Sequence, residues 1–237
     1  MTQVLQLVLL LLALLSFFSY WIFWAFRDHV DLNGAAMKTA ATGFLAGLAL
    51  TQPVSGIQLI GLGLAFGALG DFALTWRSQA AFRFGMAAFA AGHLAYIAAF
   101  CLRGQTISEA TPSATSLSGY TIVTLVALAA LLLSTEIWLA PRTAALRWPV
   151  RGYVVVIGLM GLVALLLPPH PENAGASYLQ IGATLFILSD LLLALRLFVF
   201  PTAKAATTLS LTIWPAYWLG QFLIMLGAGL YWLPFGF

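Results

Sequence analysis

The sequence predicts an all-α membrane protein in which eight transmembrane helices form one bundle. Of its 237 residues, 62% are hydrophobic and 7% are charged, whereas soluble domains carry about a quarter charged residues. Apolar runs recur along the chain, and about 20 apolar residues suffice to cross a bilayer as a helix. The runs lack the alternation of polar and apolar residues that is typical of barrel strands, so helices are the expected spanning elements.

Eight runs are long enough to span, and the segments between them are too short for a second domain. The first run has no basic residue ahead of it and exceeds the apolar part of a signal peptide, so we interpret it as a spanning helix. The expected spans are Val4–Phe26, Ala35–Thr51, Gly56–Trp76, Phe82–Cys101, Tyr120–Leu139, Gly152–Leu167, Ser177–Phe198 and Thr208–Trp232.

The basic residues predict the orientation of the bundle. Loops one, three, five and seven, with their flanks, hold nine of the ten Lys and Arg residues, and the even loops hold only Arg103. The positive-inside rule then places the odd loops in the cytoplasm and both termini outside. We ascribe the basic composition to this topology rather than to a nucleic-acid partner, and we expect a multi-pass protein of a bacterial inner membrane.

Two carboxylates fall inside apolar runs, Asp71 in the third and Asp190 in the seventh. A carboxylate at membrane depth costs about 3 kcal/mol to insert and usually faces a bundle interior or a wet cavity. Similar sequence precedes both aspartates, which suggests a repeat of two four-helix halves, 1–118 and 119–237, with the carboxylates at similar depth. The two side chains could pair with buried cations as structural groups, or they could share one functional chamber near the cytoplasmic side.

Further polar side chains lie in the spans. His93 shares a face of the fourth span with Phe89 and Tyr96, and Tyr217 shares a face of the last span with Gln221. Hydrogen bonding between helices would explain these groups without any further function. A proton-handling site that includes His93 is the alternative.

Lys38 opens the second span on the predicted cytoplasmic side, where it could snorkel to the interface or attract an anionic group. Catalytic zinc typically takes three protein ligands, and only one of the three histidines lies at membrane depth. We therefore predict neither a metal nor a cofactor. The chain also lacks a Gly-x-Ser-x-Gly elbow and a glycine-rich phosphate loop.

These residues, in this order, resemble the YhhN family, the eight-span family that contains the mammalian lysoplasmalogenases. The resemblance runs from Lys38 to Leu226. This chain has Gly67 where the family usually has serine and Thr39 where it usually has proline, and both departures bear on substrate choice. The residues that carry the resemblance are Gly70, Asp71, Phe89, His93, Tyr96, Gly182, Phe186, Ser189, Asp190, Tyr217 and Gln221.

The resemblance implies hydrolysis of the vinyl ether bond of a lysoplasmalogen to a fatty aldehyde and glycerophospho-ethanolamine or -choline. This reaction needs an acid, a base for water, and negative charge near an oxocarbenium ion. We assign the acid and the base to Asp71 and Asp190, in either order, and expect His93 to orient or shuttle a proton. The expected substrate-binding residues are Ser189, Tyr217 and Gln221 for the glycerol and water, Lys38 for the phosphate, Phe89 and Phe186 for the alkenyl chain, and Tyr96 without an assigned part of the substrate.

Two other functions are compatible with the sequence. Carboxylates and a histidine at membrane depth suit a proton- or ion-coupled transporter, and a parallel repeat suits alternating access. The spans lack conspicuous paired helix breaks, which argues against a carrier. A family member that binds lysolipids without hydrolysing them is the third possibility.

Overall fold

Eight long helices follow one another along the chain. The computed structural model describes residues 3–27, 30–76, 78–110, 119–167, 174–200 and 203–232, and all regular structure in them is helical. Two short 3-10 turns connect the fifth and sixth helices. The long helices are α1 Gln3–Phe23, α2 Leu32–Leu50, α3 Ser55–Ala73, α4 Gln79–Ala110, α5 Gly119–Trp138, α6 Arg147–Leu165, α7 Gly175–Phe198 and α8 Ala203–Trp232.

Seven of these helices are long and apolar enough to cross a membrane, and α2 is not among the seven. The predicted all-helical membrane architecture is thereby confirmed. Eight crossings, with both termini on the non-cytoplasmic side, stay a prediction. The division into halves 1–118 and 119–237 also stays a prediction, and residues 111–118 at its boundary lie outside the described part of the chain.

Several helices begin or end beyond the predicted spans. Helix α2 begins at Leu32 rather than at Ala35 because Asp31 caps it: the Asp31 carboxylate accepts a hydrogen bond of 2.8 Å from the Gly34 N–H. Helix α4 continues past Cys101 into a polar segment. Hydropathy identifies the apolar part of a helix, whereas the backbone hydrogen bonds of α4 continue through residues that water can solvate.

Five helices form a closed ring. Helix α3 packs on α4, α4 on α6, α6 on α7, α7 on α8, and α8 on α3. Helix α2 packs on α3 and α8, α1 packs on α2 and α8, and α5 packs on α6. Across the ring, Phe89 of α4 meets Phe186 of α7 edge to face, with ring centroids 6.4 Å apart. Polar side chains from the ring and from α2 can therefore meet around a central space.

The contact between α7 and α8 depends on glycine. A Cβ added at Gly182 would lie 2.8 Å from the Gly220 carbonyl oxygen and 2.8 Å from the Ile224 nitrogen. These atoms belong to the backbone of α8, so the two helices would have to separate. Small residues at such crossings are what allow helices to pack closely inside a membrane.

We expect Gly182→Ala to lower the unfolding temperature of the detergent-solubilised protein strongly, because the new methyl group would force α7 away from α8. Gly152→Ala is the matched control, since a Cβ there meets no heavy atom within 4 Å. Alanine is better than glycine inside a helix by about 0.5–1 kcal/mol, so the control should be unchanged or slightly more stable. Equal unfolding temperatures for the two variants would contradict the proposed tight contact.

Candidate active site

A cavity of about 700 Å³ lies at one end of the bundle, lined by side chains of α1, α2, α3, α4, α7 and α8 and of the loops between helices. Asp71 of α3 and Asp190 of α7 both line it, together with Arg27, Ser78 and Leu146 from the loops that follow α1, α3 and α5. This volume is in the range of small-molecule sites, about 300–1,000 Å³. The two aspartates thus contribute to one chamber, at the end of the bundle that carries these loops.

Asp71 is a buried carboxylate whose charge is matched by a cation. Its Oδ1 lies 3.1 Å from the Lys38 Nζ. Its Oδ2 accepts hydrogen bonds from the hydroxyls of Tyr217, at 2.8 Å, and Thr42, at 3.1 Å. Lys38 and Thr42 are one turn apart on α2, so both reach Asp71 from the same face. Lys38 therefore does not merely snorkel: it forms a buried ion pair.

A chain of hydrogen bonds holds the Tyr217 side chain. The Gln221 Nε2 donates to the Tyr217 hydroxyl oxygen at 3.3 Å, and the Tyr96 hydroxyl donates to the Gln221 Oε1. Tyr96 and Gln221 are both buried, and neither lines the cavity. They hold the Tyr217 hydroxyl in place. Their positions therefore do not favour the predicted contact of Tyr96 and Gln221 with a substrate.

Gly67 leaves the space that this chain of hydrogen bonds occupies. A Cβ at Gly67 would lie 2.8 Å from the Gln221 Nε2 and 3.2 Å from the Tyr217 hydroxyl oxygen. Serine, which the family that this sequence resembles usually has at this position, would place a further hydroxyl beside both groups. The glycine therefore sets the form of the network around Asp71 in this chain.

We expect Gly67→Ala to destabilise the folded protein by about 1–3 kcal/mol, because displacing the Gln221 amide leaves buried polar groups without partners. Gly43→Ala on α2 is the control, since its Cβ would meet only the Ala68 Cβ, at 4.0 Å. Unfolding in detergent micelles, followed by tryptophan fluorescence, measures both. A Gly67→Ala variant as stable as the control would show that the amide moves without cost.

Asp190 is held in a different way. Its Oδ2 accepts a hydrogen bond from the Tyr153 hydroxyl of α6, and the Tyr153 oxygen lies 3.1 Å from the His93 Nε2 of α4. Among the described residues, no cation lies within ion-pair distance of Asp190. A neutral donor therefore holds this carboxyl group, whereas an ammonium group holds Asp71.

The hydrogen-bond directions assign the histidine tautomer. The Tyr153 hydroxyl has one hydrogen and donates it to Asp190, so the His93 Nε2 must donate to Tyr153 and carry a hydrogen. The Nδ1 atom is then an acceptor, and it is buried with no hydrogen-bond partner among the described residues. His93 does not line this cavity, so its contact with Asp190 runs through Tyr153.

Aromatic rings connect the two polar groups. Phe186 lies between Tyr217 and His93, with centroid distances of 5.2 Å and 4.6 Å and edge-to-face geometry in both contacts. Phe89 packs against Phe186 and Tyr217 and also lines the cavity. Phe186 is 1% exposed and does not line the cavity. Of the two phenylalanines predicted to contact the alkenyl chain, only Phe89 is placed to do so.

The remaining residues of the site show what the sequence indicated and what it did not. Ser189 lines the cavity, but its hydroxyl donates to the Phe186 carbonyl at 2.7 Å and can only accept from a bound molecule. Thr42 and Tyr153 were missed. Thr42 follows Lys38 by four residues, and Tyr153 is the one hydroxyl-bearing side chain of the predicted sixth span. The sequence shows both side chains at these positions, although it does not show which residues they contact.

The polar residues described above, from Lys38 to Gln221, all lie in one matched region: the chain matches the YhhN family over residues 33–228. The chain belongs to the YhhN family. Its resemblance to this family, inferred from short motifs, is thereby confirmed.

Two curated relatives carry the same name. Lysoplasmalogenase TMEM86A of Bos taurus is 32% identical over 188 residues, which is 77% of this chain and 69% of the relative. Lysoplasmalogenase TMEM86A of Homo sapiens is 30% identical over 173 residues, 70% of this chain and 63% of the relative, so this match spans less than two thirds of the human protein. No solved structure matches this YhhN chain.

Proposed function

We propose that this YhhN protein is a membrane hydrolase that cleaves the vinyl ether bond of a lysoplasmalogen. The products are a fatty aldehyde and glycerophospho-ethanolamine or -choline. One observation carries the proposal: two buried carboxylates with different partners, Asp71 and Asp190, line the same cavity. The name lysoplasmalogenase, which both curated relatives bear, supports the same reaction.

Asp190 is proposed as the acid and Asp71 as the base. Asp71 forms an ion pair with Lys38. This pairing favours the charged form of Asp71, which suits a group that must act as a carboxylate. Among the described residues, the partner of Asp190 is the neutral Tyr153 hydroxyl, which suits a group that must deliver a proton. Two carboxylates in different surroundings divide such roles in glycoside hydrolysis, which also passes through an oxocarbenium-like state.

The reaction begins when Asp190 transfers its proton to the β-carbon of the vinyl ether. The electron pair of the double bond forms the new C–H bond, and the carbon bonded to oxygen becomes part of an oxocarbenium ion. Water adds to this carbon while Asp71 accepts a proton from it. The resulting hemiacetal loses the proton of its hydroxyl group and breaks its bond to the glycerol oxygen, which gains a proton in exchange and leaves as a hydroxyl, and the aldehyde is released.

Tyr153 and His93 act through Asp190. The Tyr153 hydroxyl holds the Asp190 side chain at the cavity wall, and His93 in turn donates to Tyr153 at 3.1 Å. The proton that Asp71 takes from water returns to Asp190 before the next turnover through the cavity that both carboxyl groups line. Because His93 does not line the cavity, and its Nδ1 has no hydrogen-bond partner among the described residues, we assign it a positioning role rather than contact with the substrate.

We propose that the lipid phosphate binds to cations other than Lys38, because Asp71 already neutralises the charge of Lys38. Arg27 and Arg196 line the same cavity. Their positive charges are suited to attract an anionic head group. Tyr217 and Ser189 line the cavity as well and can contact the glycerol or water.

A coupled aldehyde assay on purified protein tests the function. We expect aldehyde from a vinyl ether lysolipid and none from its saturated ether analogue, since that analogue has no double bond to protonate. Absence of aldehyde from either lipid would overturn the proposal. Proton-driven solute flux in liposomes would then favour a transporter, and saturable lysolipid binding without turnover would favour a binding protein.

A further inference from the structure

A second cavity, of about 120 Å³, lies beside the polar one and is almost wholly apolar. Four helices form it. Helix α4 contributes Met86, α5 contributes Leu131 and Leu132, α6 contributes Val154, and α7 contributes Leu191 and Ala194. These six side chains are half-buried. Since they belong to helices that are apolar enough to span, the groove that they form lies in the membrane-spanning part of the bundle.

Helix α5 makes this groove possible. It packs on α6, and it is the least buried of the seven helices that are apolar enough to span. Its apolar side chains therefore stand beside α4 and α7 and leave a space between the helices. Apolar surface of this kind inside a membrane protein suits a hydrocarbon chain, because a chain there exchanges lipid contacts for protein contacts.

The apolar groove and the polar cavity share part of their walls. Asp190 and Phe89 line both, as do Leu74, Phe82, Leu193 and Leu197. Asp71 and Lys38 line only the polar cavity, so among the described residues Asp190 is the one carboxylate where the two spaces meet. A molecule that occupied both spaces would place its boundary between polar and apolar parts beside the Asp190 carboxyl group.

We propose that the groove between α4, α5, α6 and α7 binds the hydrocarbon chain of the lipid substrate and selects its length. The inference rests on the proposed function and deepens it. In a vinyl ether lysolipid, the reacting bond joins the chain to the glycerol, so a chain in the groove and a head group in the polar cavity bring that bond to Asp190. Arg196, about 9 Å further along α7 at 1.5 Å per residue, lines the polar cavity on the head-group side.

The test fills the groove and compares substrates of different chain length. Leu131 lines the groove but not the polar cavity, and it lies on α5 rather than on a helix that carries Asp71 or Asp190, so Leu131→Trp obstructs the chain without altering α3 or α7. Leu133→Trp makes the same change at a side chain of α5 that is 72% exposed and lines neither cavity, and it is the control. We expect Leu131→Trp to lower kcat/KM for a long-chain vinyl ether lysolipid by about ten-fold or more, with a short-chain analogue and the control unaffected.

An equal loss for both chain lengths, or no loss, would overturn the groove assignment while leaving the hydrolase proposal standing. Absence of aldehyde from the unaltered protein would instead reject the hydrolase itself.

Photolabelling tests the same assignment without a variant. A saturated ether lysolipid with a diazirine at its chain end should label α4, α5 or α7 residues of the groove, such as Met86 or Leu132. Labels confined to α1, α2 and α8 would contradict it.

Discussion

Asp190→Asn is expected to lower aldehyde release by about 10³-fold, within the range for loss of a general acid. Asparagine keeps the shape of the side chain and can still accept the hydrogen bond from Tyr153, but its amide N–H is not acidic enough to protonate carbon. Rates measured with saturating vinyl ether lysolipid report the loss. The unfolding temperature should stay close to that of the unaltered protein, because the amide replaces a carboxyl group that no described cation pairs with.

Glu136→Gln is the matched control for this prediction. Glu136 is also a carboxylate in a spanning helix, but it pairs with Arg151 on the surface and lines neither cavity. Its replacement should leave aldehyde release unchanged. Near-normal turnover by purified Asp190→Asn would remove Asp190 from the role of acid.

The second large effect concerns the stability of the Lys38–Asp71 pair. Lys38→Met leaves a buried carboxylate without its cation, and Asp71→Asn leaves a buried ammonium without its anion. Breaking a buried pair in this way costs about 3–5 kcal/mol. The double variant removes both charges, so we expect it to be more stable than either single variant. Chemical unfolding in detergent micelles measures all four members of the cycle.

The Glu136–Arg151 pair supplies the control cycle. It joins α5 to α6 at the surface, with side chains 46% and 26% exposed. Solvent weakens such a pair, so its coupling should be much smaller than that of Lys38 with Asp71. Additive losses in the Lys38–Asp71 cycle would show that the two charges do not stabilise one another.

Composition and spacing predicted the helices well, because burial of an apolar run in lipid is a property of the run itself. The third span was expected at Gly56–Trp76 and is found at Ser55–Ala73, and the seventh was expected at Ser177–Phe198 and is found at Gly175–Phe198. The placement of Asp71 and Asp190 on one cavity followed from the cost of a carboxylate at membrane depth. Both predictions rest on the preference of side chains for water or lipid.

Partners could not be predicted in the same way. Lys38 was read as an interfacial cation or a phosphate contact, whereas it pairs with Asp71, because α2 packs on α3 with Lys38 and Thr42 facing that aspartate. Tyr153 is 37 residues from Asp190 along the chain, and only the packing of α6 on α7 brings the two together. Hydropathy and spacing contain no record of which helix lies beside which.

The central claim is that the protein protonates a carbon of the vinyl ether, and turnover in D₂O tests it most directly. The released aldehyde is trapped as it forms and analysed by mass spectrometry. An authentic undeuterated aldehyde, carried through the same incubation, corrects for exchange with the solvent. The mechanism predicts one deuterium on the carbon next to the carbonyl. An aldehyde without deuterium at that carbon would contradict it.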